Sequence, residues 1–209
     1  DSLDELISES AFSTGTGPAG CGRKAKRKMA LLIVVVGGGI GGLFAAHALI
    51  AQGFDVAVYE QAPALGEVGA GVFLTPNSVR HLKRLGLEPA IEKFGARVGT
   101  GSHYFRHDGA PIAAVQVTDA SGWNATFGMH RADLVELLAK PLPSGVVHTG
   151  HRAIGFEQTD DKARVLFANG ASADADVVVA ADGIHSELRQ FVAPPARPVS
   201  RAVRAAAPD

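Results

Sequence analysis

An apolar run over residues 31–36, Leu-Leu-Ile-Val-Val-Val, breaks directly into Gly37-Gly38-Gly39-Ile40-Gly41-Gly42. A helical pattern follows through Gln52, and a second short apolar segment ends in Val58-Tyr59-Glu60. Strand, glycine turn, helix, strand and acid, in that order, make up a dinucleotide-binding βαβ unit. Gly37 allows the tight turn, Gly39 lets backbone approach a pyrophosphate, and Gly42 lets the helix sit against the strand. Helix N–H groups and the positive end of the helix dipole then face the phosphates. Glu60 follows the last glycine at close to the expected interval of about 20 residues, where its carboxylate can accept ribose hydroxyls. A carboxylate there repels a 2′-phosphate and so disfavours NADP in this site. The alternative is a glycine-rich turn without a ligand, but the flanking elements stand in register with the glycines. The unit alone does not separate FAD from NAD.

A chain of 209 residues accommodates one domain or a little more. A net charge of −1 gives no support for nucleic-acid binding. One cysteine, Cys21, excludes an intrachain disulfide and fits a reducing, cytoplasmic setting. Arg23-Lys24-Ala25-Lys26-Arg27-Lys28 before the apolar run imitates the start of a secretory signal. That run is too short to span a bilayer and is cut by glycines. A buried parallel strand, apolar on both faces, accounts for it better. The basic cluster also fits a nuclear-localisation or polyanion-binding patch. Residues 1–28 are polar, rich in Gly, Ser and Thr and without sustained periodicity, which predicts a disordered extension. Met29 is then the expected start of the folded unit, and what precedes it an upstream extension, fusion remnant or tag.

Along the rest of the chain, a first helix is predicted over residues 41–52, packing through Leu43, Ala46, Leu49 and Ile50 and stopped by Gly53. Residues 61–76 read as a loop. Asn77 is the expected N-cap of a helix carrying Val79, Leu82 and Leu85, closed by Gly86. Asp108-Gly109 marks a hairpin within residues 103–117, and Leu134, Leu137 and Leu138 mark a helix over 131–140. Short strands are expected at 146–148, 153–158 and 163–167, with a turn at Asn169-Gly170. The apolar run 177–180 reads as a buried strand leading into Asp182-Gly183. The fold class is therefore α/β, a Rossmann-like parallel sheet with an antiparallel β-meander attached. Residues 194–209, rich in Pro, Arg and Ala, read as a disordered tail, leaving 29–193 as the folded domain. Eight histidines are scattered without metal-ligand spacing and are assigned no chemistry, and no metal is expected.

Four segments together resemble a known family. They are the glycine turn, Gly69-Ala70-Gly71-Val72 with Pro76-Asn77, His130-Arg131-Ala132-Asp133-Leu134, and Ala181-Asp182-Gly183-Ile184-His185-Ser186. In that order and spacing they resemble the N-terminal, FAD-binding half of the single-component FAD-dependent aromatic hydroxylases, the family of salicylate hydroxylase and hydroxynicotinate monooxygenase. The likeness covers about residues 30–190. It implies that Gly37, Gly39 and Gly42 cradle the FAD pyrophosphate and that Glu60, with Gln61 beside it, holds the adenosine ribose. It implies that Gly71 and Val72 approach the flavin through backbone, and that Arg131 reaches the ribityl or phosphate region. Ala153 would lie near the adenine through backbone, and Asp182-Gly183 resembles the family's motif for both FAD and NAD(P)H binding, acting by ordering other groups. A cation at a helix start such as Arg131 is unfavourable without an anion, which supports its role.

The implied activity is hydroxylation of a small aromatic substrate by O₂ through a flavin C4a-hydroperoxide, with NAD(P)H as co-substrate and reductant. Some relatives place a histidine just after the Gly-Ala-Gly segment to activate a substrate hydroxyl. Here Phe73 and Leu74 stand there, so no catalytic base is assigned. The family continues for roughly as many residues again, including most of a substrate-binding sheet and a later Gly-Asp segment. Of the substrate side, only a hairpin at about 101–122 is expected here. Two other readings stay open: a non-catalytic truncated fragment that binds flavin weakly or not at all, and the reductases, cyclases and epoxidases that share this FAD domain.

Overall fold

The computed structural model describes residues 31–66 and 71–193. The expected 1–28 extension and 194–209 tail, and Gly69-Ala70 of the glycine segment, lie outside the described residues. Strand β1, Leu32–Val36, lies between two parallel neighbours: β2, Asp55–Tyr59, and β12, Val177–Ala180. Strand β8, Val147–His148, pairs in parallel with β2 and completes a four-stranded sheet of order β12-β1-β2-β8. The expected two-faced apolar strand is observed. Ile33 and Val35 join one core cluster and Val34 and Val36 the other, as strand alternation requires.

The first cluster is roofed by helices. Helix α1, Ile40–Ala51, packs Leu43 and Ala46 fully inside, with Leu49 and Ile50 half-buried at its edge. Helix α4, Arg131–Ala139, lies beside α1 and buries Leu134, Val135, Leu137 and Leu138. Each fully buried aliphatic side chain contributes about 1.5–3 kcal/mol relative to exposure, which places this layer among the main sources of stability. The opposite face of the sheet is covered by the expected meander, order β11-β10-β9, with β9 Ala153–Gln158, β10 Ala163–Phe167 and β11 Ser172–Ala175. Val165, Phe167, Ala173 and Ala175 face Val34 and Val36 there.

Several expectations need correction. Residues 61–76 are not all loop: Gly71–Leu74 forms strand β3, which pairs antiparallel with β7, Phe127–His130, itself flanked by β4, Ala96–Arg97. A four-residue strand that buries only Leu74 has too short a pattern to announce itself. Helix α2, Pro76–Arg84, starts earlier than predicted. Thr75 is its N-cap and Pro76 its first residue, a position proline suits because the missing N–H would have no partner in the helix. Helix α3, Glu88–Phe94, was not expected; it is seven residues long and buries Ala90 and Ile91. The hairpin is confirmed as β5, His103–Phe105, and β6, Pro111–Ala114, with every residue of both strands exposed.

Strand β12 is not the buried strand that its run of valines suggests. It forms an edge of the sheet, with Val177 42% exposed and Ala180 open to solvent. A four-residue helix, α5, Arg189–Val192, was not expected.

Candidate functional site

The turn between β1 and α1 is built by backbone contacts that only glycine permits. Gly37 has φ +110°, and its N–H donates to the Tyr59 carbonyl at 2.8 Å. A Cβ on Gly42 would lie 1.9 Å from the Gly37 carbonyl oxygen, so helix and strand meet as the sequence predicts. Gly39 is different. A Cβ there would meet nothing within 4 Å, so the space in front of it is open. Gly39 also caps α1 with extended backbone and no side-chain hydrogen bond, and the first turn of α1 holds no acid. A helix N-terminus fronted by open space and left without an acidic partner fits an anionic phosphate ligand.

Glu60 closes the other side of the turn. Its Oε2 accepts the Gly38 N–H at 2.5 Å and its Oε1 accepts the Ala62 N–H at 2.8 Å. The carboxylate is thus fixed at the tip of β2 by two main-chain donors, and each oxygen keeps lone-pair capacity for a hydroxyl.

These groups border a cleft of about 460 Å³. Of the residues singled out from sequence, Gly37, Gly39, Glu60, Gln61, Arg131, Ala153, Asp182 and Gly183 all line it. Gly42 does not; it is the buried contact beneath the turn. Gly71 and Val72 line a second hollow of about 520 Å³ on the β3–β7–β4 sheet instead. The hollows adjoin at consecutive residues, His130 bordering the second and Arg131 the first. Arg131 is the first residue of α4, so both helices that roof the core begin at the cleft.

Asp182 directs its carboxylate back into its own turn. Oδ1 accepts the Ser186 hydroxyl at 2.7 Å, while Oδ2 accepts the N–H groups of Glu187 at 2.9 Å and Leu188 at 3.2 Å. Its observed contacts organise residues 183–188, and Gly183 with φ +81° makes the bend possible.

Sequence reasoning passed over Tyr59, His151, Arg152, His185 and Glu187, which also line the cleft. The Tyr59 ring stacks on His148 at 4.8 Å and on Phe167 at 4.7 Å, with His151 edge-on at 5.2 Å. Burial raises the Tyr59 hydroxyl above its ordinary pKa. His151 Nδ1 donates to the Thr149 carbonyl at 2.6 Å, because a carbonyl can only accept. Arg152 and Glu187 approach to 3.7 Å across the rim, half-exposed and thus a weak pair. Each of the five stands beside a residue already singled out: Tyr59 before Glu60, His151 and Arg152 before Ala153, and His185 and Glu187 just after Asp182-Gly183. Among the described residues no cluster of His, Cys, Asp and Glu is arranged to hold a metal ion, and no helix is long and apolar enough to cross a membrane.

The family described as FAD binding domain matches residues 30–205. A 3-amino-4-hydroxybenzoate 2-monooxygenase of Streptomyces platensis is 41% identical over 163 residues, covering 77% of this chain and 41% of the relative. Salicylate hydroxylase of Pseudomonas putida is 37% identical over 180 residues, covering 79% of this chain and 39% of the relative. Among solved structures, Klebsiella pneumoniae HpxO complexed with FAD and uric acid superposes with a TM-score of 0.68 at 30% identity, covering 77% of this chain and 41% of that one. The chain therefore spans about 40% of the length of the relatives it matches.

Proposed function

The chain belongs to the FAD binding domain family, and on that premise we propose that it forms the FAD-binding portion of an NAD(P)H-dependent monooxygenase that hydroxylates a small aromatic substrate with O₂. The observation that carries this reading is the cleft itself. The glycine turn, the fixed Glu60 carboxylate and Arg131 converge there from three separate elements, before an uncapped helix start.

The residues present fit the cofactor. Gly37 and Gly39 would offer backbone to the pyrophosphate at the start of α1, and the Arg131 guanidinium would add a charged donor fork to the phosphate or ribityl region. Glu60 would accept the adenosine ribose hydroxyls, with Gln61 beside it and Ala153 near the adenine. Asp182 and Gly183 would shape the wall between. Gly71 and Val72, in the adjoining hollow, would meet the flavin end. Bound flavin supplies hydride acceptance and oxygen activation; the protein groups bind, orient and exclude water. The names of the relatives, which include a salicylate hydroxylase and an aminohydroxybenzoate monooxygenase, support a phenolic substrate class.

A second reading, in which the chain holds FAD without turnover, is favoured by a specific feature. Phe73 on β3 lines the second hollow and is 72% exposed, so the hollow is open to solvent at that residue. Adding FAD to purified chain, desalting and recording the visible spectrum tests both. Retained flavin with NAD(P)H oxidation supports the monooxygenase reading, and retained flavin without it supports the second. A colourless, folded protein overturns both for the isolated chain and leaves the fragment that binds flavin weakly or not at all.

A further inference from the structure

Among the described residues the buried polar side chains are His47 and Thr126, and His47 takes no part in the cleft. It stands on the inner face of α1, 5% exposed, with its Nε2 2.6 Å from the Leu138 carbonyl oxygen of α4. A carbonyl accepts only, so Nε2 carries the proton and donates. The Leu138 carbonyl lies in the last turn of α4, where a helix leaves carbonyls without intrahelical donors. His47 therefore caps a neighbouring helix from the side.

The placement of this bond is informative. His47 is the eighth residue of α1, counted from Ile40, and Leu138 the eighth of α4, counted from Arg131. Gly39 and Arg131 at the two helix starts line the same cleft. The helices thus run side by side in the same direction, tied at equal height about 10 Å below both starts. Parallel neighbours place like dipole ends together, which opposes their association. Apolar contacts such as Leu43, Ala46 and Leu134 hold the helices together but permit small axial sliding. A directional hydrogen bond to one carbonyl does not.

We propose that His47 is a positioning residue for the cofactor site: by tying α1 to α4 it fixes the height of Arg131 relative to the glycine turn. This rests on the cleft being the FAD site. The test compares His47→Leu, which removes the donor, with His47→Gln, which keeps a donor near the Nε2 position. FAD titrations of the full chain should show affinity about tenfold weaker for His47→Leu and within about twofold of wild type for His47→Gln. In an Arg131→Ala background, His47→Leu should add little, because its effect runs through Arg131. A folded His47→Leu protein with wild-type affinity, or fully additive losses, overturns the proposal. Two readouts need no flavin. Imidazole ¹⁵N shifts at neutral pH should show the Nε2–H tautomer, and amide exchange in the last turn of α4, around Leu138, should quicken in His47→Leu but not in His47→Gln. An Nδ1–H tautomer, or equal exchange in both variants, refutes the tie. A wild-type chain that holds no FAD overturns the reading of the cleft instead, and these two readouts then decide the tie.

Discussion

The carbonyl oxygen of Gly37 lies 1.9 Å from where a Cβ on Gly42 would stand, so the first turn of α1 rests directly on the end of β1. No rotamer relieves a clash between a Cβ and main chain. We predict that Gly42→Ala destabilises the fold by about 2–4 kcal/mol or prevents it. Urea denaturation followed by circular dichroism measures this, and an unchanged midpoint would show that the contact is not tight.

Gly39→Val separates binding from folding. A Cβ there meets nothing within 4 Å and the backbone is extended, so stability should fall by only about 1 kcal/mol or less, the cost of a valine at the N-cap. If the cleft holds FAD as proposed, affinity should fall at least about tenfold, because the side chain would stand where the pyrophosphate approaches the glycine turn. Calorimetric titration decides it, and wild-type affinity would remove Gly39 from the site.

Glu60→Ala should act twice. Loss of the acceptor for the Gly38 and Ala62 N–H groups should cost about 1–3 kcal/mol of stability. FAD binding should weaken far more than FMN binding, since only FAD carries the adenosine ribose. Parallel losses for the two flavins would confine Glu60 to its structural part.

Asp182→Ala should free the Ser186 hydroxyl and the Glu187 and Leu188 N–H groups together. Faster amide exchange across residues 186–189, with about 1 kcal/mol lost, is the expected outcome. Protection equal to wild type there would mean that the turn is held by other contacts.

His47 makes stability depend on pH in a definite direction. Burial lowers its pKa from 6.5, outweighing the Leu138 carbonyl that raises it. Below about pH 6.5 the unfolded chain takes up a proton that the folded chain refuses, so stability falls as pH drops through that range. His47→Gln, which cannot titrate, should flatten this part of the profile in urea midpoints taken from pH 7.5 to 5. An identical profile in the variant would assign the dependence to other groups.

Much of this architecture was legible because its signals are local. The glycine turn, the apolar run of β1, the glycines that stop α1 and α2 and the Asp-Gly and Asn-Gly turns each occupy a few adjacent residues. Strands β9, β10 and β12 fell at their expected positions. What stayed hidden depends on distant partners. Strand β3 exists only because β7 pairs with it from more than fifty residues away. The valines of β12 look the same whether the strand is central or at an edge. His47 appeared as one of eight scattered histidines, since nothing near it in sequence announces the Leu138 carbonyl. The cleft residues Gly37, Glu60 and Arg131 were recognisable by motif, whereas His151 and Arg152 reached the same place through a loop without a pattern.

The pairing of Val36 with both Tyr59 and Ala180 has a consequence for how the protein is made. Its first neighbour follows within one helix, but its second emerges from the ribosome only after most of the described chain has been synthesised. Until then β1 has one unpaired edge, a template for pairing with the wrong strand or another nascent chain. The wall formed by Ala181, Asp182 and Gly183 arrives with that second strand, so the cleft is assembled last. A chain whose synthesis stopped before residue 177 would carry the glycine turn, Glu60 and Arg131 but lack the cleft wall of Ala181, Asp182 and Gly183.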